Sequence, residues 1–227
     1  MARVIDPGPT GRIGNLIFYS MYGKKYVRTM PGRVRQTKAT KAKSTEFGRA
    51  STIGASIRRG LSPVIPDYAD QKMQRRLVSV VFQWLNRLGE VKSIPGFQPR
   101  DLSDFSFLEK GSSIRGRWKV GVQISQPSTG LMQVRIPAFI PNKAFEAPIN
   151  SVSVKCKIAM AAIDVKSGTL LGKSFNEIHF DLDSKSVAAQ TLPVNLPTPK
   201  GSLIVTGMKL DYLKSNNDYI QPNTNKA

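Results

Sequence analysis

Val152-Ser153-Val154-Lys155-Cys156-Lys157-Ile158 alternates apolar and polar residues without a break. Successive side chains of an extended chain point to opposite faces, so this pattern describes a strand with one buried face. The candidate strand spans Ser151 to Val165. Lys166-Ser167-Gly168-Thr169 then supplies a turn, and Leu170 to Phe175 returns. Further strands lie on either side. Trp118 to Ile124 alternates, and Leu131 to Phe139 alternates around Val134 and Ile136 until Pro137 ends its pairing. Ile178-His179-Phe180-Asp181-Leu182 alternates, while Val187 to Val194 and Leu203 to Tyr212 do so less cleanly. About seven strands in roughly a hundred residues, with turn signals between them, favour an antiparallel β-sandwich over a parallel sheet.

Ahead of this region the apolar period lengthens from two to between three and four. Ser44 or Thr45 can cap a helix reaching about Leu61, with Phe47, Ala50, Ile53, Gly54, Ile57 and Leu61 on one stripe. Ala50, Gly54 and Ala55 would let another backbone approach closely. Ser62-Pro63 stops this helix. A second runs from about Tyr68 to Leu88, with a stronger stripe of Met73, Leu77, Val80, Val81, Trp84 and Leu88 and with Gly89 as its C′ residue. The pair reads as a helical hairpin. Residues 92–116 are rich in Pro, Gly and Ser and read as a linker, with Phe105, Phe107 and Leu108 as its anchors.

The first forty residues read as a β-hairpin followed by an extended arm. Asn15 to Tyr19 and Tyr26 to Met30 form the strands, Tyr22-Gly23-Lys24-Lys25 the turn, and Gly8, Gly11 and Gly14 are turns before it. No Gly-Lys-Ser/Thr enters a helix, so these glycines are not a phosphate loop. The expected fold is therefore α+β. Residues 1–43 are a basic hairpin and arm, 44–115 a helical hairpin and linker, 116–214 a β-sandwich and 215–227 a polar tail.

Charge gives the strongest clue to partners. The 227-residue chain carries 34 Lys and Arg against 15 Asp and Glu. Thirteen of the cations lie between Met1 and Ser62 with only Asp6 and Glu46 opposing them, a net of +11. Clustered positive charge concentrates polyanions, of which phosphate backbones are the commonest in a cell. Lys24, Lys25, Arg28, Arg33, Arg35, Lys38, Lys41, Lys43, Arg58 and Arg59 are the candidate nucleic-acid-binding residues. Tyr19, Tyr22 and Tyr26 are interleaved with the first of them, and aromatic rings beside cations suit exposed bases. DNA or RNA is the expected partner, with little sequence specificity. Self-assembly is the second, since a basic arm ahead of a β-sandwich suits a virion or filament subunit.

Enzyme chemistry finds little footing. Cys156 is the only cysteine, which excludes a disulfide within the chain and a multi-thiolate metal site. His179 is the only histidine. It shares a strand face with Glu177 and Asp181, but Ile178, Phe180 and Leu182 mark the other face as the buried one. An enzyme built around His179 is the weakest of the three readings, and no cofactor is expected. Asp101, Asp104 and Glu109, and Asp181 with Asp183, match no calcium loop and read as surface charge. No secretory signal opens the chain and no run of about eighteen apolar residues occurs, so a cytoplasmic or particle-associated product without a membrane span is expected.

Gly11-Arg12-Ile13-Gly14-Asn15-Leu16-Ile17-Phe18-Tyr19, Gly23-Lys24-Lys25-Tyr26-Val27-Arg28, Pro31 and Lys38-Ala39-Thr40 resemble the opening of a Bacteroidetes domain family of unknown function. Ile136-Pro137-Ala138-Phe139 and Ala147-Pro148 resemble that family's C-terminal part. The resemblance implies a bacterial origin and a shared architecture, and it brings no activity with it.

Overall fold

The structure, a computed structural model, describes residues 3–5, 8–32, 35–67, 72–90, 105–108, 114–128, 130–216 and 218–220. It contains helices and several antiparallel sheets, an α+β architecture. The chain divides into two compact units, Met1–Lys43 and Ser44–Ala227.

The first unit is built on four strands, not two. β1 (Arg3–Ile5), β2 (Gly8–Ile13), β3 (Leu16–Met21) and β4 (Lys24–Thr29) follow one another as an antiparallel meander. Gly8 and Gly11, expected in turns, lie within β2; only Gly14 turns the chain, at φ +58°. Glycine has no β preference of its own, so the sequence hid a strand whose backbone nonetheless pairs with Phe18, Ile17 and Leu16. Between β3 and β4 both turn residues have positive φ, Tyr22 at 55° and Gly23 at 73°, the requirement of a type I′ hairpin turn.

The arm is also shorter than expected. Helix α1 spans Lys38–Gly60 and takes up Lys38, Lys41 and Lys43. Its cap is Thr37, not Ser44 or Thr45: Thr37 Oγ1 accepts from the Thr40 amide at 3.1 Å. Ala and Lys are good helix formers, so a capped helix can extend into solvent without burying anything.

In the second unit, α1 buries Ala50, Ile53, Gly54, Ile57 and Gly60. A 3₁₀ turn at Ser62–Val64 leads on toward α2 (Met73–Glu90), which buries Met73, Leu77, Val78, Val81 and Trp84 and runs through Gly89. The expected start of α2, Tyr68 to Gln71, and most of the linker lie outside the described residues. Phe105 and Phe107 do pack against the helical core, held by Arg76, which donates to the Ser106 carbonyl at 2.9 Å and lies over the Phe105 ring.

β5 (Gln123–Ser128), β6 (Leu131–Ile136) and β9 (Gln190–Asn195) form one antiparallel sheet. β7 (Ser153–Asp164), β8 (Leu170–Asp181), β10 (Ser202–Leu213) and β11 (Tyr219–Ile220) form another, in the order β11-β10-β7-β8. β8 is one strand where two were expected, because the alternation continues through Asn176 and Glu177. Trp118 makes only an isolated bridge to Phe145, and β5 begins after it.

Two cores meet at β7. Val154, Cys156, Ile158, Met160 and Ala162 join Met132, Val134, Ile136, Val194 and the aromatic cluster of Trp118, Phe139, Phe145 and Phe180. Ala159, Ala161 and Ile163, on the other face of the strand, join α1 and α2. A strand covered on both faces needs small side chains where a helix lies across it. Arg49 and Ser56 fasten α1 to the β7–β8 turn. Arg49 donates from Nε and Nη2 to the Val165 carbonyl at 2.9 and 2.7 Å, and Ser56 Oγ donates to the Gly168 carbonyl at 2.7 Å.

Candidate nucleic-acid interface

The meander of the first unit has two chemically different faces, and strand register decides which residue goes where. Residues directly opposite in an antiparallel pair share a face, and alternate residues along each strand do too. Arg12 pairs with Ile17 and Ile17 with Arg28; Tyr19 pairs with Tyr26, and Met21 with Lys24. One face therefore carries Arg12, Ile17, Tyr19, Met21, Lys24, Tyr26 and Arg28. Gly11 pairs with Phe18 and Phe18 with Val27, Ile13 with Leu16, and Ser20 with Lys25. The second face is thus mostly apolar.

On the first face the two tyrosines stack, with ring centroids 5.5 Å apart and planes 21° from parallel. The Arg28 guanidinium lies 5.8 Å from the Tyr19 ring centroid. Tyr19 and Tyr26 stay 37% and 38% exposed, so this aromatic surface is open to a ligand. Between Asp6 and Glu46 the chain has nine cations and no carboxylate. Among the described residues, Arg12, Lys24, Lys25 and Arg28 enter no ion pair.

Three lysines on β7 and β10 of the second unit behave differently. Lys157 meets Asp211 at 2.9 Å, Lys209 meets Asp211 at 3.0 Å, and Lys155 meets Glu177 at 3.6 Å. These three lysines are compensated by the chain itself.

The expected binding residues divide accordingly. Lys24 and Arg28 share the tyrosine face, and Lys25 is on the apolar one. Arg33 lies outside the described residues. Arg35 is exposed ahead of Thr37, and Lys38, Lys41 and Lys43 are exposed in the first turns of α1. Arg58 and Arg59 belong to the second unit, in the last turn of α1. Arg59 donates to Ser56 Oγ at 3.0 Å, and Arg58 is half-buried with its Nε enclosed. Arg12 was missed as a candidate, because only pairing through β2 brings it into a row with Arg28.

The alternative centre is less equipped. His179 is exposed on edge strand β8, as its alternation suggested, and among the described residues its side chain makes no hydrogen bond or ion pair. Glu177 beside it is engaged by Lys155 and Lys157. Cys156 is enclosed in the core, and burial pushes its thiol up to about 12. Among the described residues no group of three or more His, Cys, Asp and Glu is placed to hold a metal ion, and no helix is long and apolar enough to cross a membrane.

No protein-family model, curated protein or solved structure matches the chain.

Proposed function

We propose that the protein is a non-enzymatic nucleic-acid-binding protein whose basic N-terminal region makes sequence-independent phosphate contacts. The observation that carries this reading is the stretch of nine cations without a carboxylate, four of them on an exposed sheet. Clustered cations neutralise phosphates and release counterions, a gain that does not depend on base sequence. The second unit, with its two sheets around one aromatic core read as a β-sandwich, acts as scaffold.

The test is salt dependence. Replacing Lys24, Lys25, Arg28, Arg35 and Lys38 together by glutamine should weaken binding to mixed-sequence DNA and RNA. The slope of log K against log salt should flatten by roughly 0.7–0.9 for each phosphate contact removed. Wild-type affinity and slope in that variant would end the proposal.

A second reading, a subunit of an assembly, rests on the other face of the meander. Ile13, Leu16 and Val27 are 50%, 40% and 55% exposed there. Apolar surface of this kind favours a protein neighbour. Light scattering at micromolar concentration separates the readings, since a discrete small species counts against assembly.

A further inference from the structure

We infer that the ligand of the meander's tyrosine face is single-stranded nucleic acid, with bases on Tyr19 and Tyr26 and phosphates on Arg12, Lys24 and Arg28. The inference rests on the proposed nucleic-acid binding and narrows it to one class of substrate.

Phosphate neutralisation by itself requires only cations, and this face presents more. Its centre is an open, stacked tyrosine pair, and cations border that pair on both sides. Along β4, Lys24, Tyr26 and Arg28 follow at alternate positions, about 6.8 Å apart at 3.4 Å per residue. Across the sheet, Arg12 and Arg28 flank Ile17 in one row, about 10 Å apart at two strand spacings. A flexible strand running along β3 and β4 would meet Lys24, then the two tyrosines, then Arg28 with Arg12 beyond Ile17. That sequence of surfaces matches the phosphate–base repeat of an unpaired chain, whose bases are free to turn onto rings.

A duplex fits this face less well. Its bases are already stacked on one another and expose only their edges in the grooves. A two-stranded ribbon can enter a major groove about 12 Å wide, but four strands at about 4.8 Å spacing span roughly 14 Å before side chains are added. Among the described residues Asn and Gln, the readers of adenine edges, are absent from this face, and Arg28 lies over Tyr19. The inferred ligand is therefore read through its stacking surfaces and charge, not through its sequence.

The experiment compares a twenty-nucleotide oligo(dT), a mixed-sequence duplex of the same length and inorganic polyphosphate. Each is titrated against the full chain by fluorescence anisotropy or competition at low salt. The expected order is oligo(dT) tightest. Tyr19→Leu/Tyr26→Leu should lose on the order of ten-fold for each base no longer stacked and leave duplex and polyphosphate binding unchanged. Tyr19→Phe/Tyr26→Phe keeps both rings and should retain oligo(dT) binding, which guards against a leucine variant that disturbs the sheet. Equal affinity for all three polyanions in the wild type overturns the single-strand inference and leaves phosphate binding standing. Loss of oligo(dT) binding in the phenylalanine variant, or none in a folded leucine variant, overturns it as well. Failure of the wild type to bind any of the three removes the inference together with the reading beneath it.

Discussion

Replacing Gly60 by alanine probes the closest approach in the second unit, where the end of α1 meets the middle of β7. A Cβ on Gly60 would stand 2.4 Å from the Cβ of Ala161, 3.3 Å from Leu170 Cδ1 and 3.6 Å from Ala161 Cα. Non-bonded carbons prefer about 3.5–4.0 Å, so the shortest of these contacts falls short by at least about 1.1 Å. Ala161 cannot retreat. It is fully buried and paired with Val205 on one side and Lys173 on the other. The helix must lift instead and loosen Ile53 and Ile57 beneath it. Overpacking of this kind costs about 1–3 kcal/mol. Gly60 is not among the glycines at positive φ, so the steric fit decides the outcome.

Gly48, earlier in the same helix, is the matched control, since a Cβ there meets nothing within 4 Å. Exposed Gly→Ala within a helix gains up to about 1 kcal/mol. The two alanine variants should thus differ by about 1–4 kcal/mol, or roughly 2–16 °C in melting temperature for a chain of this size. Urea unfolding measures the difference as a shift of midpoint at constant slope. Should Gly60→Ala prove as stable as Gly48→Ala, α1 does not lie against β7 as closely as the structure has it.

Two further outcomes test the same unit. Because burial holds the Cys156 thiol near 12, native protein at pH 8 should resist iodoacetamide and label only in denaturant; rapid native labelling would mean that β7 is not enclosed. Asp164 accepts from Ser167 Oγ at 2.6 Å and from the Lys166 and Ser167 amides at 3.1 Å each, bonds that hold its carboxyl below the ordinary 3.8. A depressed folded-state value gives stabilisation that is complete above the ordinary pKa and lost as pH falls through the folded one. The stability gap between wild type and Asp164→Ala should therefore be flat at neutral pH and shrink below about pH 4. A gap that does not change with pH would refute the turn's role.

Much of the second unit was legible because its signals are local. The alternation at Val152–Ile158 marked β7, the Leu131–Ile136 alternation marked β6, and the stripe of Met73, Leu77, Val81 and Trp84 marked α2. Each such pattern reports a single buried face, which the chain encodes residue by residue. Where burial was double, alternation gave way although the strand expected to reach Val165 does run to Asp164, and where burial was absent the helix start went unread. Beyond Ile158, β7 reads as Ala159-Met160-Ala161-Ala162-Ile163 because helices cover the face that would otherwise be polar. At the start of α1 the opposite holds, since Lys38 to Lys43 bury nothing and only the Thr37 cap shows where the helix begins.

The sequence by itself determined the concentration of cations near the N-terminus, the apolar periods that separate helices from strands, and the lone cysteine and histidine. Tertiary structure alone decided that Arg12 joins Lys24, Arg28 and two tyrosines while Lys25, adjacent in sequence to Lys24, faces the other way. The physical reason is register. Which residues share a surface depends on backbone hydrogen bonds between strands, and a shift of one residue would exchange the two faces entirely. Composition is indifferent to that shift, so it can announce a charged region but cannot assemble it into a site.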